Sequence, residues 1–195
     1  MCIRDRTQPL RPLHPYGVSK VAQDLLAYQE HANYGTHTVR VRIFNTTGPG
    51  KSGDVCADFT RRAVEVELGL REPVLPVGNL DAKRALCDVR DMVRALEAAV
   101  EKGRPGEVYN AGGSKAVPMR HLLDLAVQAT GSKARPEVDK ALLRPSDEPI
   151  ILGDHGKLQR ETGWAAQVPL EQTIADMVAH WRRVLGAHPG GGRGP

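Results

Sequence analysis

Four amphipathic stretches in this chain each stop on a glycine, and short β-branched or apolar runs stand between them. In "YGVSKVAQDLLAY" the residues Val18, Val21, Ala22, Leu25 and Leu26 recur every three or four positions, which predicts a helix over 16–34 closed by Gly35. The same reasoning gives helices over 55–69, from Asp88 or Asp91 to Gly103, over 117–131 with Pro118 in the first turn and Gly131 after the last, and over 170–185. Between them, "THTVRVRIFN" (36–45), "PVLPVGNL" (73–80), "GEVYNAGG" (106–113) and "EPIILG" (148–153) read as extended segments. Strand alternating with helix restricts the chain to the α/β class. It contains no internal repeat.

Several function classes are excluded or given no support by composition. No run approaches the roughly 18 apolar residues of a membrane span, and "MCIRDRTQPL" lacks the apolar centre of an export signal, so the cytoplasm is the expected location. The formal charge of +4 is spread without a block of like charges, and aromatic residues are only 4%. That permits an anionic small ligand but offers no stacking platform for nucleic acid. Cys2, Cys56 and Cys87 are widely spaced and suggest buried thiols rather than disulfides. The histidines show no metal-ligand spacing, so no metal is expected.

Chemistry concentrates in "HPYGVSK". Tyr16 and Lys20 are four apart on a helix and therefore share a face at its N-terminus. A free tyrosine holds its proton to about pH 10. An ammonium nearby and the positive end of a helix both favour the phenolate. Such a pair can exchange a proton with a substrate hydroxyl or carbonyl near neutral pH. The spacing alone is common, and a surface aromatic beside a solvated lysine would look the same.

The surrounding segments narrow the choice. "PLRPLHPYGVSKVAQDLL" resembles the active-site segment of the extended short-chain dehydrogenases/reductases, with its proline-rich approach and P-Y-x-x-S-K. "VRVRIFNTTGPGK" resembles the R-x-x-N-x-x-G-P strand and loop that follows in that superfamily. The order continues through "VGNLDAKRALCDVRDMVRAL", "GEVYNAGG" and "LLRPSDEPIILGDHGKLQRETGW", covering about residues 8–185. "GNLDAKR" and the last of these are similar to GDP-mannose 4,6-dehydratases and GDP-4-keto-6-deoxymannose reductases. "NTTGPGK" departs from the dehydratase pattern N-H-E-S-P-R-R toward that of epimerases and reductases.

The resemblance implies the C-terminal part of a Rossmann-type parallel sheet with a smaller mixed α/β substrate-binding region. It implies Tyr16 as acid/base at the sugar C4 and Lys20 as its partner on the nicotinamide ribose. Phe44, Thr46 and Lys51 would line the cofactor, NADP or else NAD. Asn45, Asn79, Arg84 and Arg144 would contact a GDP-mannose-like nucleotide sugar, the two arginines suiting a diphosphate through their paired donors. Asp88 and Asp91 are expected to cap and orient the helix that follows. Trp164 and Trp181 are expected to pack.

The dinucleotide-binding G-x-x-G-x-x-G turn of the superfamily has no counterpart here. Nor do the upstream Ser/Thr and the acid that a dehydratase uses for elimination. The expectation is a C-terminal fragment: residues 1–7 non-native or disordered, 8–187 the C-terminal half of the domain, and 188–195 a disordered tail. A sheet edge would be left uncovered. The parent would be a homo-oligomeric nucleotide-sugar 4,6-dehydratase. The alternatives are an epimerase or 4-keto reductase of the same superfamily, or a non-catalytic nucleotide-sugar-binding fragment.

Overall fold

A computed structural model describes residues 3–143 and 148–186. In chain order its elements are β1 (Ile3–Arg4), α1 (Pro15–Tyr34), β2 (Arg40–Ile43), β3 (Thr46–Thr47), α2 (Val55–Glu67), β4 (Val74–Val77), β5 (Lys83–Ala85), β6 (Cys87–Asp88), α3 (Val89–Lys102), β7 (Val108–Ala111), β8 (Ala116–Pro118), α4 (Met119–Thr130), β9 (Arg135–Val138), β10 (Ile150–Gly153), α5 (Gly156–Thr162) and α6 (Leu170–Gly186). The chain is α/β, as the alternation required. It divides into two units: residues up to Thr46 with Ala85–Ser114 and Ile151–Gln167, and Thr47–Arg84 with Lys115–Ile150 and the residues from Val168.

The first unit is built on the parallel pair β2 and β7, in register from Arg40 opposite Val108 to Ile43 opposite Ala111. Among the described residues this is a two-stranded sheet. Alternation sends Val39 and Val41 to one face, where they pack against a core of Met92, Ala95, Ala99, Tyr109, Ala111, Leu158 and Trp164. Helix α3 starts where expected, with the Asp88 carboxylate accepting the Arg90 N–H at 2.8 Å. Asp91 is buried and accepts the Gln167 N–H at 3.0 Å, tying the loop after α5 to α3. Trp164 packs as expected. Cys56 and Cys87 are both buried free thiols, and burial pushes each up to about 12.

The other face of β2 is charged. Arg42 reaches the Asp24 carboxylate of α1 at 2.8 Å and Arg40 reaches it at 3.5 Å, while the Arg40 guanidinium lies 5.1 Å from the Tyr28 ring centroid. Thr38 Oγ1 adds a bond to the Ala27 carbonyl. Helix α1 is therefore held by its polar side. The apolar stripe that marked it in the sequence points elsewhere: Val18, Leu25 and Leu26 are 55%, 53% and 62% exposed. Periodicity found the stripe correctly, but two arginines on the strand decide which side of the helix meets the sheet.

A charged cluster sits at the start of β7. The Tyr109 hydroxyl donates to Glu161 at 2.6 Å, and the Arg104 fork reaches the same carboxylate at 2.8 and 3.1 Å. Lys157 pairs with Glu107 and lies 4.4 Å from the Tyr109 ring centroid. The Tyr109 hydroxyl holds Glu161, and the Lys157 ammonium holds Glu107, below the ordinary glutamate value of 4.5. A carboxylate depressed on folding contributes stability above its unfolded value and loses it as pH falls through the folded one. Melting temperature, followed by circular dichroism, should therefore drop below about pH 4.5, and Glu161→Gln should flatten part of that acid limb.

In the second unit α2, α4 and α6 pack on one another, burying Phe59, Val64, Leu122, Leu123, Ile174 and Met177. Arg182 on α6 forks onto Glu67 of α2 at 2.8–3.1 Å and donates to the Ala129 carbonyl of α4 at 3.1 Å. Beside them β4 pairs in parallel with β9, Val74 opposite Arg135.

Candidate active site

Helix α1 begins with His14 in extended backbone as its N-cap and Pro15 at its first position, where a missing N–H costs nothing. Tyr16 therefore falls in the first turn and Lys20 one turn later. Their shared face is realised: the Lys20 ammonium lies 5.4 Å from the Tyr16 ring centroid and bonds Gln23 Oε1 at 3.2 Å. Tyr16 is 69% exposed, so its hydroxyl is available to a ligand. A cation beside an accessible phenol at a helix N-terminus is suited to proton exchange.

The segment after β2 supplies a second group. The Phe44 N–H continues the ladder to the Ala111 carbonyl at 2.8 Å. Its ring fills space left by two glycines, since a Cβ on Gly112 would meet Phe44 at 2.8 Å and one on Gly153 would meet it at 2.5 Å. The Asn45 carbonyl accepts the Cys87 N–H at 2.9 Å, while its side-chain amide nitrogen is buried with no partner among the described residues. A buried donor left unbonded costs about 1–3 kcal/mol, so this amide suits a ligand oxygen. The Thr46 hydroxyl is occupied, donating to the Phe44 carbonyl at 3.0 Å. These residues stand just beyond the carboxyl ends of parallel strands, where α/β sheets bind ligands. Tyr16, Lys20, Phe44, Asn45 and Thr46 all belong to the first unit.

Lys51, Asn79 and Arg84 belong to the second. Lys51 is exposed in the glycine loop, its N–H closing a turn onto the Gly48 carbonyl at 3.1 Å. Asn79 Oδ1 accepts from the Asp81 and Ala82 N–H groups at 3.0 and 3.3 Å, shaping the loop that precedes Arg84. Arg84 is half-buried and donates to the Lys83 and Glu148 carbonyls at 2.9 and 2.8 Å, which fixes its direction. Arg144 lies outside the described residues. Among the described residues no cluster of His, Cys, Asp or Glu could hold a metal ion, and no helix is long and apolar enough to cross a membrane.

Two participants escaped the sequence reading. Asp24 anchors the helix that bears Tyr16 and Lys20 to the strand that leads into Asn45, through Arg40 and Arg42. Two arginines alternating on one strand face were the available signal, because such a face needs a counter-charge. His14 was passed over as part of the proline-rich approach.

Comparisons with known proteins place the chain in a family. The model of a family described as GDP-mannose 4,6 dehydratase matches residues 3–177. A GDP-6-deoxy-D-mannose reductase from Pseudomonas aeruginosa is 29% identical over 171 residues, covering 87% of this chain and 56% of the relative. A dTDP-glucose 4,6-dehydratase from Streptomyces griseus is 32% identical over 176 residues, covering 90% of this chain and 52% of the relative. Among solved structures, RMD from Pseudomonas aeruginosa complexed with NADPH superposes with a TM-score of 0.88 at 27% identity, over 93% of this chain and 60% of that one. The chain spans about half the length of the curated relatives it matches. A family model matched over residues 3–177, together with an α/β fold that contains parallel strand pairs, shows that the chain belongs to the GDP-mannose 4,6 dehydratase family of the extended short-chain dehydrogenases/reductases.

Proposed function

We propose that this chain is the substrate-side half of a nucleotide-sugar 4,6-dehydratase, converting GDP-mannose to GDP-4-keto-6-deoxymannose in a homo-oligomeric enzyme. The observation that carries the reading is the exposed Tyr16 with the Lys20 ammonium beside its ring, in the first turns of α1. Tyr16 would take the proton of the sugar C4 hydroxyl as C4 is oxidised to the ketone. Lys20 would sit beside the tyrosine oxygen that does so and bond the cofactor ribose. NADP, with NAD as the second choice, would accept the hydride from C4 and deliver it to C6 once water has left across C5 and C6, so that C4 stays a ketone. In the first unit Phe44 and Thr46 border the strand end and the unbonded Asn45 amide offers a donor for a ligand oxygen; in the second, Lys51 carries a charge suited to a phosphate. Asn79, Arg84 and Arg144 hold the nucleotide diphosphate.

A second reading, a 4-keto reductase on the same class of GDP sugar, is favoured by the TM-score of 0.88 to the Pseudomonas structure and by the "NTTGPGK" loop. Both use the same pair. They differ in whether NADPH is consumed.

Calorimetry on the purified chain tests the reading. GDP-mannose should bind more tightly than UDP-glucose, and no turnover of NADP should accompany it, because the dinucleotide-binding turn is not in this sequence. Equal or absent heats for all sugar nucleotides would overturn the substrate assignment, and measurable turnover would overturn the half-enzyme assignment. In an enzyme completed with its dinucleotide-binding half, consumption of GDP-mannose without net NADPH oxidation separates dehydratase from reductase.

A further inference from the structure

We propose that His14 is a positioning residue for Tyr16 and that it works only as the neutral imidazole. The first N–H groups of a helix have no partner within it. In α1, Pro15 has none to satisfy, the Val18 N–H goes to the His14 carbonyl at 3.1 Å, and the Gly17 N–H goes to His14 Nδ1 at 2.9 Å. Nitrogen Nδ1 can accept only through its lone pair, so the ring proton must sit on Nε2.

The same imidazole lies nearly parallel to the Tyr16 ring, with centroids 6.2 Å apart and 25° between planes. Tyr16 thus has two neighbours near its ring, the His14 imidazole and the Lys20 ammonium. At 69% exposed it has little else to hold it. Gly17 belongs to the same arrangement. A Cβ there would meet Pro12 Cβ at 2.9 Å and His14 Cε1 at 3.1 Å, pushing the imidazole off the helix end.

Helix N-caps are ordinarily Ser, Thr, Asp or Asn, whose oxygens still accept in mild acid. Histidine does not behave that way. Once protonated, both ring nitrogens donate, and Nδ1–H would oppose the Gly17 N–H. Among the described residues the titratable or charged groups near the ring are Tyr16, in ring contact, and Lys20, which touches the same tyrosine. Acid therefore opens the first turn of α1 and frees Tyr16. The cap stands on geometry alone; its effect on catalysis rests on the acid–base reading of Tyr16.

Amide hydrogen exchange by NMR on the full chain tests the cap. The protection factor of the Gly17 N–H should fall at least tenfold as pH drops through the imidazole range, roughly pH 7 to 5.5, while that of Leu26 in mid-helix stays level. His14→Asn places an amide oxygen where Nδ1 was, and should keep Gly17 protected across the range. His14→Ala should lose the protection at every pH. A flat Gly17 profile in the unaltered chain overturns the inference, and that measurement needs no variant to fold. Protection in His14→Ala equal to that of the unaltered chain overturns it too. In an enzyme completed with its dinucleotide-binding half, His14→Asn should extend activity toward acid by about one pH unit. If the exchange data hold and the acid limb does not move, the cap stands and the acid–base role of Tyr16 fails.

Discussion

Trp164→Ala is expected to cost about 3–5 kcal/mol of stability, the largest loss that any single residue of the first unit should show. Trp164 is 5% exposed and packs in the cluster of Met92, Ala95, Ala99, Tyr109 and Leu158. Its indole N–H donates to the Asp91 carbonyl at 2.9 Å, and the His155 ring meets it edge-on at 5.6 Å. Truncation removes the apolar contacts and the indole hydrogen bond and leaves a cavity too deep inside the core to collapse fully. Domains are stable by only about 5–15 kcal/mol. One substitution would thus remove a fifth of the margin or more. Urea unfolding followed by circular dichroism measures it. Trp164→Phe keeps most of the ring volume and loses the donor, so it should cost about 1–2 kcal/mol. A loss below 1 kcal/mol for the alanine variant would contradict the packing role.

Tyr16→Phe should leave stability unchanged and lower turnover about 10²–10⁴-fold in the enzyme completed with its dinucleotide-binding half. The phenyl ring keeps the Lys20 contact and the stacking against His14, so only the hydroxyl is lost. Its exposure means that no buried partner is stranded. On the proposed reading, binding of the nucleotide sugar, measured by calorimetry, should survive, because the residues assigned to its diphosphate, Arg84 and Asn79, belong to the other unit. Unchanged turnover would remove Tyr16 from the chemistry. Unchanged stability with lost binding would move it from proton transfer to substrate recognition.

Helix ends were legible because glycine and aspartate punctuate them. Gly35, Gly103 and Gly131 follow their helices directly, and Asp88 caps α3, whereas α2 stops at Glu67, two residues short of Gly69. Strand β9 was not legible. All of "RPEV" is exposed, so burial imposes no alternation, and Pro136 lacks the N–H that a ladder uses. Strands β5 and β6 are three and two residues long, too short for a period-2 pattern to register. The candidate site divides the same way. Tyr16 and Lys20 are four apart on one helix, and local geometry alone brings them together. Asp24 meets Arg40 and Arg42 across 16 and 18 residues, and only the fold decides that contact.

That contact has a consequence for durability. The element carrying Tyr16 and Lys20 is fastened to the sheet by one carboxylate and two guanidinium groups, while its apolar side faces outward. Attachment by charge loosens as ions are added, whereas attachment by buried hydrocarbon does not. Concentrated salt would therefore unfasten α1 ahead of the Trp164 core, presenting a protease or a chaperone with a Leu25–Leu26 face already bare. Ageing of this protein would begin at α1, ahead of its core.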